Sequence, residues 1–333
     1  MAVTTLVGGL RCCGERWPWL TAVLYLPRFP AALPLPIVAI AAARARQPWS
    51  LALVGAAAWI VLFPLMGFEL SFPRKAPGPA TIRILSYNSD LGHRGSDTMY
   101  AQVVEARPDI VLFQMTGHRT LDYLADHPLE GYVVNRTGEF WMASRFPIVD
   151  VFAPGQLPEA PPISASFVRY TIESPLGRLD VYNVHPQSPR EGFEALDGRA
   201  LLAWARGQPH AEGWDELEAN TRIRQRQVGA MSEHARRAPN PVIIAGDTNL
   251  PVLSPLFDRS LGSYQDGFER SGTGFGYTFP AHKPFPWMRI DRILAGPELR
   301  FVHFEVGTRR ASTHYCVIAD LGRAEGSAGT GSR

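Results

Sequence analysis

The sequence predicts a layered α/β domain that follows an apolar N-terminal segment. Six apolar, β-branched or aromatic runs within residues 81–321 end in polar residues, as buried strands do. Helical patterns separate some of these runs, which favours mixed helices and strands over a sandwich of strands alone. An uncharged stretch of 22 residues lies upstream and is typical of a membrane-spanning helix.

The six runs fall in one block of the chain that is long enough to form a single large core. The predicted strands cover residues 81–88, 109–115, 178–185, 241–249, 289–295 and 315–321. Helices are predicted at residues 98–106, before the second strand, and at residues 220–237, before the fourth.

Charge is distributed unevenly along the chain. The first 72 residues carry five basic and two acidic side chains, a net charge of +3, and the rest carries 28 basic and 29 acidic ones, a net charge of −1. A near-neutral domain argues against a protein that coats nucleic acid through bulk charge. The three cysteines are too few and too scattered for a disulfide framework or a zinc site.

The first 72 residues are predicted to form a membrane anchor with two or three hydrophobic spans. Residues 47–68 are uncharged and long enough to cross a hydrocarbon core of about 30 Å as a helix. Residues 30–43 and 17–27 are shorter apolar runs that form one broken span or two short ones. One alternative is a buried core helix, but such helices seldom run this long without a charge. The other is a cleaved signal peptide, but no cleavage site of small residues follows a short apolar run.

The charges beside these spans predict the orientation of the chain. Arg44 and Arg46 lie in a short basic turn, which the positive-inside rule places in the cytoplasm. The domain that follows then lies outside the cytoplasm. Residues 73–80 hold three prolines and a glycine and are expected to be an extended linker, and residues 322–333 are expected to be a flexible tail.

Polar side chains capable of catalysis gather where the predicted strands end. A rigid sheet delivers such residues to one rim, although each alone is more often a turn residue or a helix cap. The residues are Asn88, His185, Asp247, Asn249, Asp291 and, just before the last strand, His314.

The motifs that contain these residues resemble the endonuclease/exonuclease/phosphatase superfamily, which has the deoxyribonuclease-I-like fold. Order and spacing agree over residues 81–321, and the apolar N-terminus resembles membrane-anchored bacterial members. The motifs are SYN (86–88), SRFPI (144–148), YNVHP (182–186), GDTNLP (246–251), RIDRIL (289–294) and STH (312–314). The resemblance implies a four-layer α/β sandwich with two packed β-sheets and the metal-dependent hydrolysis of a phosphoester or phosphoanhydride.

The resemblance also implies a role for each polar residue. Asp247 would orient and deprotonate the attacking water, and Asn249 and His185 would hydrogen-bond the phosphate oxygens. His314 would stabilise the developing charge or protonate the leaving group. Asp291 would hold His314 in one tautomer.

Asn88 is implied to help hold a magnesium or manganese ion, but the expected metal-binding carboxylate is missing. The family's glutamate after the second strand corresponds to Met115, whose thioether is a poor ligand for Mg²⁺, and Thr313 replaces a second acidic residue. Three outcomes are open: weak metal binding, replacement by another acid such as Glu139 or Asp90, or a degenerate domain that binds a phosphorylated ligand without cleaving it.

The anchor and the implied chemistry suggest the substrate and the location. We expect a phosphorylated small molecule or a lipid-linked phosphate or pyrophosphate, hydrolysed at the outer side of a bacterial inner membrane. A nuclease is the alternative enzyme and is less favoured by the −1 charge of the domain. A basic stretch at residues 222–226 is either a solvated helix face or a contact with anionic headgroups.

Overall fold

A computed structural model describes residues 2–71, 81–157, 163–196, 206–207 and 212–324. Two six-stranded β-sheets pack face to face and helices cover their outer faces, so the predicted four-layer α/β sandwich is confirmed. The predicted linker at 73–80 and the residues of the predicted tail from 325 onward lie outside the described residues.

The first sheet has the strand order β15-β16-β2-β3-β5-β4. Only β2 and β3 are parallel, and the other neighbours are antiparallel. Its strands are β2 (Ile82–Asn88), β3 (Ile110–Gln114), β4 (Val133–Thr137), β5 (Phe140–Ser144), β15 (Leu299–Val306) and β16 (Val317–Arg323).

The second sheet has the strand order β12-β14-β11-β10-β9-β6, in which only β10 and β11 are parallel. Its strands are β6 (Ile148–Phe152), β9 (Phe167–Ser174), β10 (Gly177–Val184), β11 (Val242–Asp247), β12 (Gln265–Asp266) and β14 (Asp291–Ala295). Two further pairs are short: β1 (Glu69–Leu70) with β13 (Thr273–Gly274), and β7 (Gln156–Leu157) with β8 (Ile163–Ser164).

The central strands are apolar on both faces. One face fills the layer between the two sheets, and the other packs under the outer helices. In β2, Ile82 and Ile84 pack in the layer between the sheets, whereas Leu85 and Tyr87 pack under the outer helices. Buried parallel strands are expected to be apolar on both faces in this way. The inner layer continues through Leu112 of β3, and it holds the sheets in one fixed register.

Helices form the two outer layers. The first sheet is covered by α5 (Ser96–Ala106) and α6 (His118–Asp126). The second sheet is covered by α8 (Glu212–Arg236) and α9 (Pro255–Leu261). Two short helices follow strands of the second sheet: α7 (Arg190–Glu194) comes after β10, and α10 (Gly267–Ser271) comes after β12.

Four helices precede the first sheet: α1 (Ala2–Cys13), α2 (Pro18–Tyr25), α3 (Pro34–Arg44) and α4 (Pro48–Ile60), the last of which continues as a wider helical turn over Val61–Leu65. Within the described residues, one helix, Pro48–Leu65, is long and apolar enough to cross a membrane. Pro18–Tyr25 and Phe29–Arg44 pass the same test only as a pair bent by 71°. By length and composition, the described residues of this part therefore offer one or two candidate spans, with Val3–Cys13 as a further, shorter apolar helix.

The predicted elements are present, with several different bounds. The last strand runs to Arg323, whose guanidinium Nε donates to the carbonyl of Leu176, so the first residues of the predicted tail belong to the sheet. The helix predicted at 220–237 begins at Glu212, because Trp214 and Leu217 are buried and extend its apolar face. The strand predicted from 289 begins at Asp291.

We expect the stability of the fold to depend most on large side chains in the layer between the sheets. Leu112→Ala should lower the free energy of unfolding by about 2–5 kcal/mol, because Leu112 is fully buried and a cavity remains. The control Val133→Ala, at a half-exposed site on edge strand β4, should change it by no more than about 0.5 kcal/mol. Urea unfolding of the full chain in detergent measures both. An equal loss of unfolding free energy in the two variants would contradict the placement of Leu112 in the core.

Candidate active site

The parallel strands of the two packed sheets end next to each other. Asn88 ends β2 of the first sheet and Asp247 ends β11 of the second, and both side chains are buried. The Asn88 amide Nδ2 donates to Asp247 Oδ2 at 3.0 Å. This hydrogen bond joins the rims of the two sheets and marks the point at which the other predicted residues converge.

Asp247 lies at the centre of this cluster. Its Oδ2 is 3.8 Å from His185 Nε2 and 3.7 Å from His314 Nε2, and its Oδ1 accepts a hydrogen bond from the backbone N–H of Asn249 at 2.9 Å. Together with Asn88, these histidines bring polar groups from three distant segments of the sequence around one carboxylate.

Close approach of the neighbouring strand explains the glycine before Asp247. Gly246 has φ +150°, and a Cβ atom there would lie 2.0 Å from the carbonyl oxygen of Val184 on β10. Any other residue would push the strands apart and displace Asp247. Asn249 has φ +49°, and its Nδ2 donates to the carbonyl of Pro186 at 2.9 Å, which fixes its side chain beside His185.

His314 and Asp291 form a buried pair. His314 Nδ1 lies 2.9 Å from Asp291 Oδ2, and Asp291 is the direct cross-strand partner of Asp247 on β14. Burial acts to lower the pKa of His314, but the negative charges of Asp291 and Asp247 outweigh it and raise that pKa from 6.5 to about 9. The imidazole is therefore charged at neutral pH, with Nε2 directed at Asp247.

His185 has a carboxylate partner as well. Its Nδ1 lies 3.2 Å from both carboxylate oxygens of Glu139, the residue before β5. Burial acts to lower the pKa of His185, and the contact with Glu139 outweighs it and raises that pKa above 6.5. The sequence suggested Glu139 only as a replacement metal ligand. Its pairing with His185 depends on the packing of the two sheets, which brings residues 46 positions apart together, and no local motif signals it.

Met115 follows β3 at the same rim and supplies no carboxylate there. It has φ +51°, and its carbonyl oxygen accepts hydrogen bonds from Ser89 Oγ at 2.8 Å and from the N–H of Leu91 at 3.0 Å. Its role in the structure is thus to anchor the loop after β2. The backbone carbonyl of Thr313 accepts from the N–H of Ala281 at 2.7 Å.

The motif that contains Thr313 is also tied to the first sheet. Ser312 Oγ donates to the carbonyl of Asn88 at 2.6 Å and accepts from the N–H of His314 at 3.2 Å. This pair of hydrogen bonds holds His314 beside the end of β2.

A metal ion has donors available at this point. Within the described part of the chain, ligand atoms of Asp247, Asp291 and His314 lie within 4.8 Å of one another. Asp291 and His314 already satisfy each other, whereas Asp247 and the amide oxygen of Asn88 are hard oxygen donors at the meeting point of the sheets. The Asn88 oxygen also accepts from the N–H of Asp90 at 3.1 Å. The residues present therefore fit a divalent cation held mainly by oxygen.

This arrangement can be compared with known families. A family model described as "Endonuclease/Exonuclease/phosphatase family" matches residues 85–314, more than half of the chain. The chain belongs to this family. Its members are hydrolases that act on phosphoester bonds, and they generally use divalent metals.

Solved structures in the endonuclease/exonuclease/phosphatase family share the fold at low sequence identity. A family protein from Bacteroides thetaiotaomicron is 18% identical, with a TM-score of 0.54 and coverage of 73% of this chain and 98% of its own. A mannosyl-6-phosphatase from the same organism is 18% identical, with a TM-score of 0.53 and coverage of 72% and 99%. D. rerio TDP2 complexed with a single-strand DNA product is 15% identical, with a TM-score of 0.51 and coverage of 73% and 100%. No curated protein matched the chain.

The buried pair predicts a measurable titration. Asp291→Asn should lower the pKa of His314 from about 9, because the substitution removes the nearest negative charge. NMR of ¹³C-histidine-labelled protein against pH measures it. Asp320→Asn, which alters a partly buried carboxylate paired with Arg83, is the control and should leave the titration of His314 unchanged.

The same pair should make stability depend on pH. The folded pKa of His314 lies above the unfolded value of 6.5, so its contribution to the free energy of unfolding is full below pH 6.5 and is lost as pH rises through about 9. Wild type should therefore lose more stability over this interval than Asp291→Asn. Identical pH profiles would contradict the pairing.

Proposed function

We propose that the chain is a membrane-anchored, metal-dependent phosphoesterase or pyrophosphatase that acts outside the cytoplasm on a phosphorylated, lipid-linked substrate. The observation that carries the hydrolytic part is the convergence of two histidine–carboxylate pairs on Asp247 at the junction of the two sheets. One carboxylate beside two imidazoles offers both a proton acceptor and proton donors at one point.

Asp247 and His314 divide the proton transfers. Asp247 orients the attacking water and accepts its proton as the oxygen–phosphorus bond forms. His314, charged at neutral pH, donates the Nε2 proton to the leaving oxygen as its bond to phosphorus breaks. Asp291 keeps the Nδ1–H of His314 bound throughout, so the ring does not rotate.

His185 and Asn249 bind the phosphoryl oxygens. Glu139 holds Nδ1 of His185, which leaves Nε2 facing the site, and Pro186 holds one amide hydrogen of Asn249. Both groups are positioned before the substrate arrives, and such preorganised donors lower the barrier as charge develops on the phosphoryl oxygens.

Asp247 and Asn88 are the residues we propose to hold the metal, Mg²⁺ or Mn²⁺. When bound, a divalent cation neutralises negative charge on the phosphate. Without a carboxylate at Met115, fewer charged side chains would hold the cation, so we expect it to bind weakly.

The N-terminal helices support the membrane part of the proposal. The 18-residue helix Pro48–Leu65 has a mean hydropathy of 1.8 and is only 11% buried. Trp49, Leu53 and Ile37 are 84%, 72% and 70% exposed, an apolar surface far larger than a soluble protein normally leaves in water. Arg44 and Arg46, between α3 and α4, favour the cytoplasmic side for that turn.

A lipid-linked substrate is the class that such an anchor favours, because the anchor confines the site to the neighbourhood of the bilayer. The basic stretch near residue 224 does not contribute to this proposal. Arg224 is fully buried, and its guanidinium donates to Asn220 and to the carbonyl of Gln187.

Hydrolysis of a generic phosphodiester and of pyrophosphate tests the activity. The full chain in detergent with Mg²⁺ should hydrolyse at least one of them, and Asp247→Asn should lower kcat by at least about 100-fold because the proton acceptor is removed. Asp150→Asn, at an exposed carboxylate, is the control. Phosphate release measures both.

The Met115→Glu variant distinguishes two hypotheses: that the chain is an active enzyme, and that it is a degenerate protein that binds a phosphorylated ligand without cleaving it. An active wild type in which Asp247→Asn is inert supports the proposal. An inert wild type that gains activity only with Met115→Glu would overturn it. A panel of DNA, phospholipids and isoprenoid diphosphates then distinguishes the substrates.

The topology has its own prediction. Alkaline phosphatase fused to the C-terminus in bacteria should be active, because this enzyme folds only outside the cytoplasm. Green fluorescent protein fused at the same place should be dark, because it is expected to fluoresce only inside the cytoplasm. The protein should stay in the membrane pellet after alkaline carbonate washing. A bright fluorescent fusion would contradict the outward orientation.

A further inference from the structure

Helices α1 and α2 contact the segment that follows the central carboxylate. This segment, residues 249–256, runs from Asn249 into the first turn of α9. Leu10, Leu24 and Tyr25 are buried in one apolar cluster with Leu253 of the segment. The N-terminal helices are thus packed into the domain directly behind the site.

Tyr25 makes the contact nearest to the chemistry. Its phenol donates to the backbone carbonyl of Asn249 at 2.7 Å, in a buried hydrogen bond between residues 224 positions apart. Its ring is held by Phe193 at 5.5 Å and by the guanidinium of Arg224 at 5.6 Å. Trp287 Nε1 donates to the Tyr25 carbonyl at 3.0 Å, so the end of α2 is fixed from several sides.

Two further polar contacts hold the rest of the segment. The guanidinium of Arg28 donates to the carbonyl of Val252 at 2.7 Å and to the carbonyl of Leu65 at 3.0 Å, which joins the segment to the last turn before β1. The buried carboxylate of Glu15 accepts from Ser254 Oγ and from the N–H of Leu256 at 3.0 Å. Glu15 therefore caps the start of α9 from outside the segment.

The segment needs such support because its backbone is strained. Asn249 and Leu253 both have positive φ, +49° and +76°, although neither is a glycine. Non-glycine residues stay in this conformation only where their surroundings hold them there. Asn249 also places its side chain beside His185 through the Pro186 carbonyl, so a shift of its backbone displaces a phosphate-binding group.

We infer that Tyr25 is a positioning residue of the active site, through which the apolar N-terminal helices hold Asn249 in its working conformation. This rests on the proposed function for its catalytic readout. Helices α1 and α2, which precede the exposed apolar hairpin of α3 and α4, are then a structural part of the site, and we expect their removal to disturb it.

The chain offers a matched pair of variants. Tyr25→Phe removes the hydroxyl that binds Asn249 and keeps the ring. Tyr277→Phe removes a hydroxyl that donates to the carbonyl of Met66 at 2.8 Å across the same interface, a hydrogen bond that does not involve residues 249–256. Both lose one tyrosine–carbonyl hydrogen bond between the N-terminal part and the domain, so a merely structural effect should be similar in the two.

The first measurement is the kinetics of the full chain in detergent. Tyr25→Phe should lower kcat by about 10-fold or more and change KM by less than about 2-fold, because misplacement of a positioned group raises the barrier. Tyr277→Phe should stay within about 2-fold of wild type in both constants. Equal effects of the two variants on kcat would overturn the inference.

The second measurement does not need activity. Amide hydrogen exchange at residues 249–256 should be faster in Tyr25→Phe than in wild type and unchanged there in Tyr277→Phe. If the wild type hydrolyses nothing, the proposed function fails, whereas faster exchange confined to Tyr25→Phe still supports the positioning role. Unchanged exchange in Tyr25→Phe would overturn it.

Discussion

The buried carboxylate of Asp247 is the constraint around which the rest of the molecule is arranged. A charged group removed from water is stable only where other groups replace its hydration. Asn88 supplies an amide from the opposite sheet, Asn249 supplies a backbone N–H, and His185 and His314 approach the same oxygen. These partners come from both sheets, so the apolar layer between the sheets has to fix their register.

The electrostatics of the site follow from the same arrangement. Two imidazoles flank Asp247, and each has a second carboxylate behind it, Asp291 for His314 and Glu139 for His185. The negative charges outweigh the cost of burying the imidazoles and raise the pKa of both rings. The charged imidazole of His314 therefore offers positive charge to a phosphate, at a site where Met115 stands at a position for which the family resemblance led us to expect a carboxylate.

The N-terminal helices combine two opposite surfaces. Tyr25 at the end of α2 and Glu15 in the turn between α1 and α2 are buried against the segment after Asp247, with hydrogen bonds to backbone groups. The hairpin of α3 and α4 instead leaves Trp49 and Leu53 exposed. Large exposed apolar surfaces of this kind generally mark contacts with a partner protein or a membrane.

The sequence by itself determined the fold class and the polar residues Asn88, Asp247, Asp291 and His314, because apolar periodicity and strand ends are local properties of the chain. The family resemblance in the sequence also predicted that an acid is missing at Met115. Only the tertiary structure decided which groups meet. The Glu139–His185 pair and the Tyr25–Asn249 hydrogen bond join residues 46 and 224 positions apart, and no local pattern encodes such contacts, because packing between layers alone sets them.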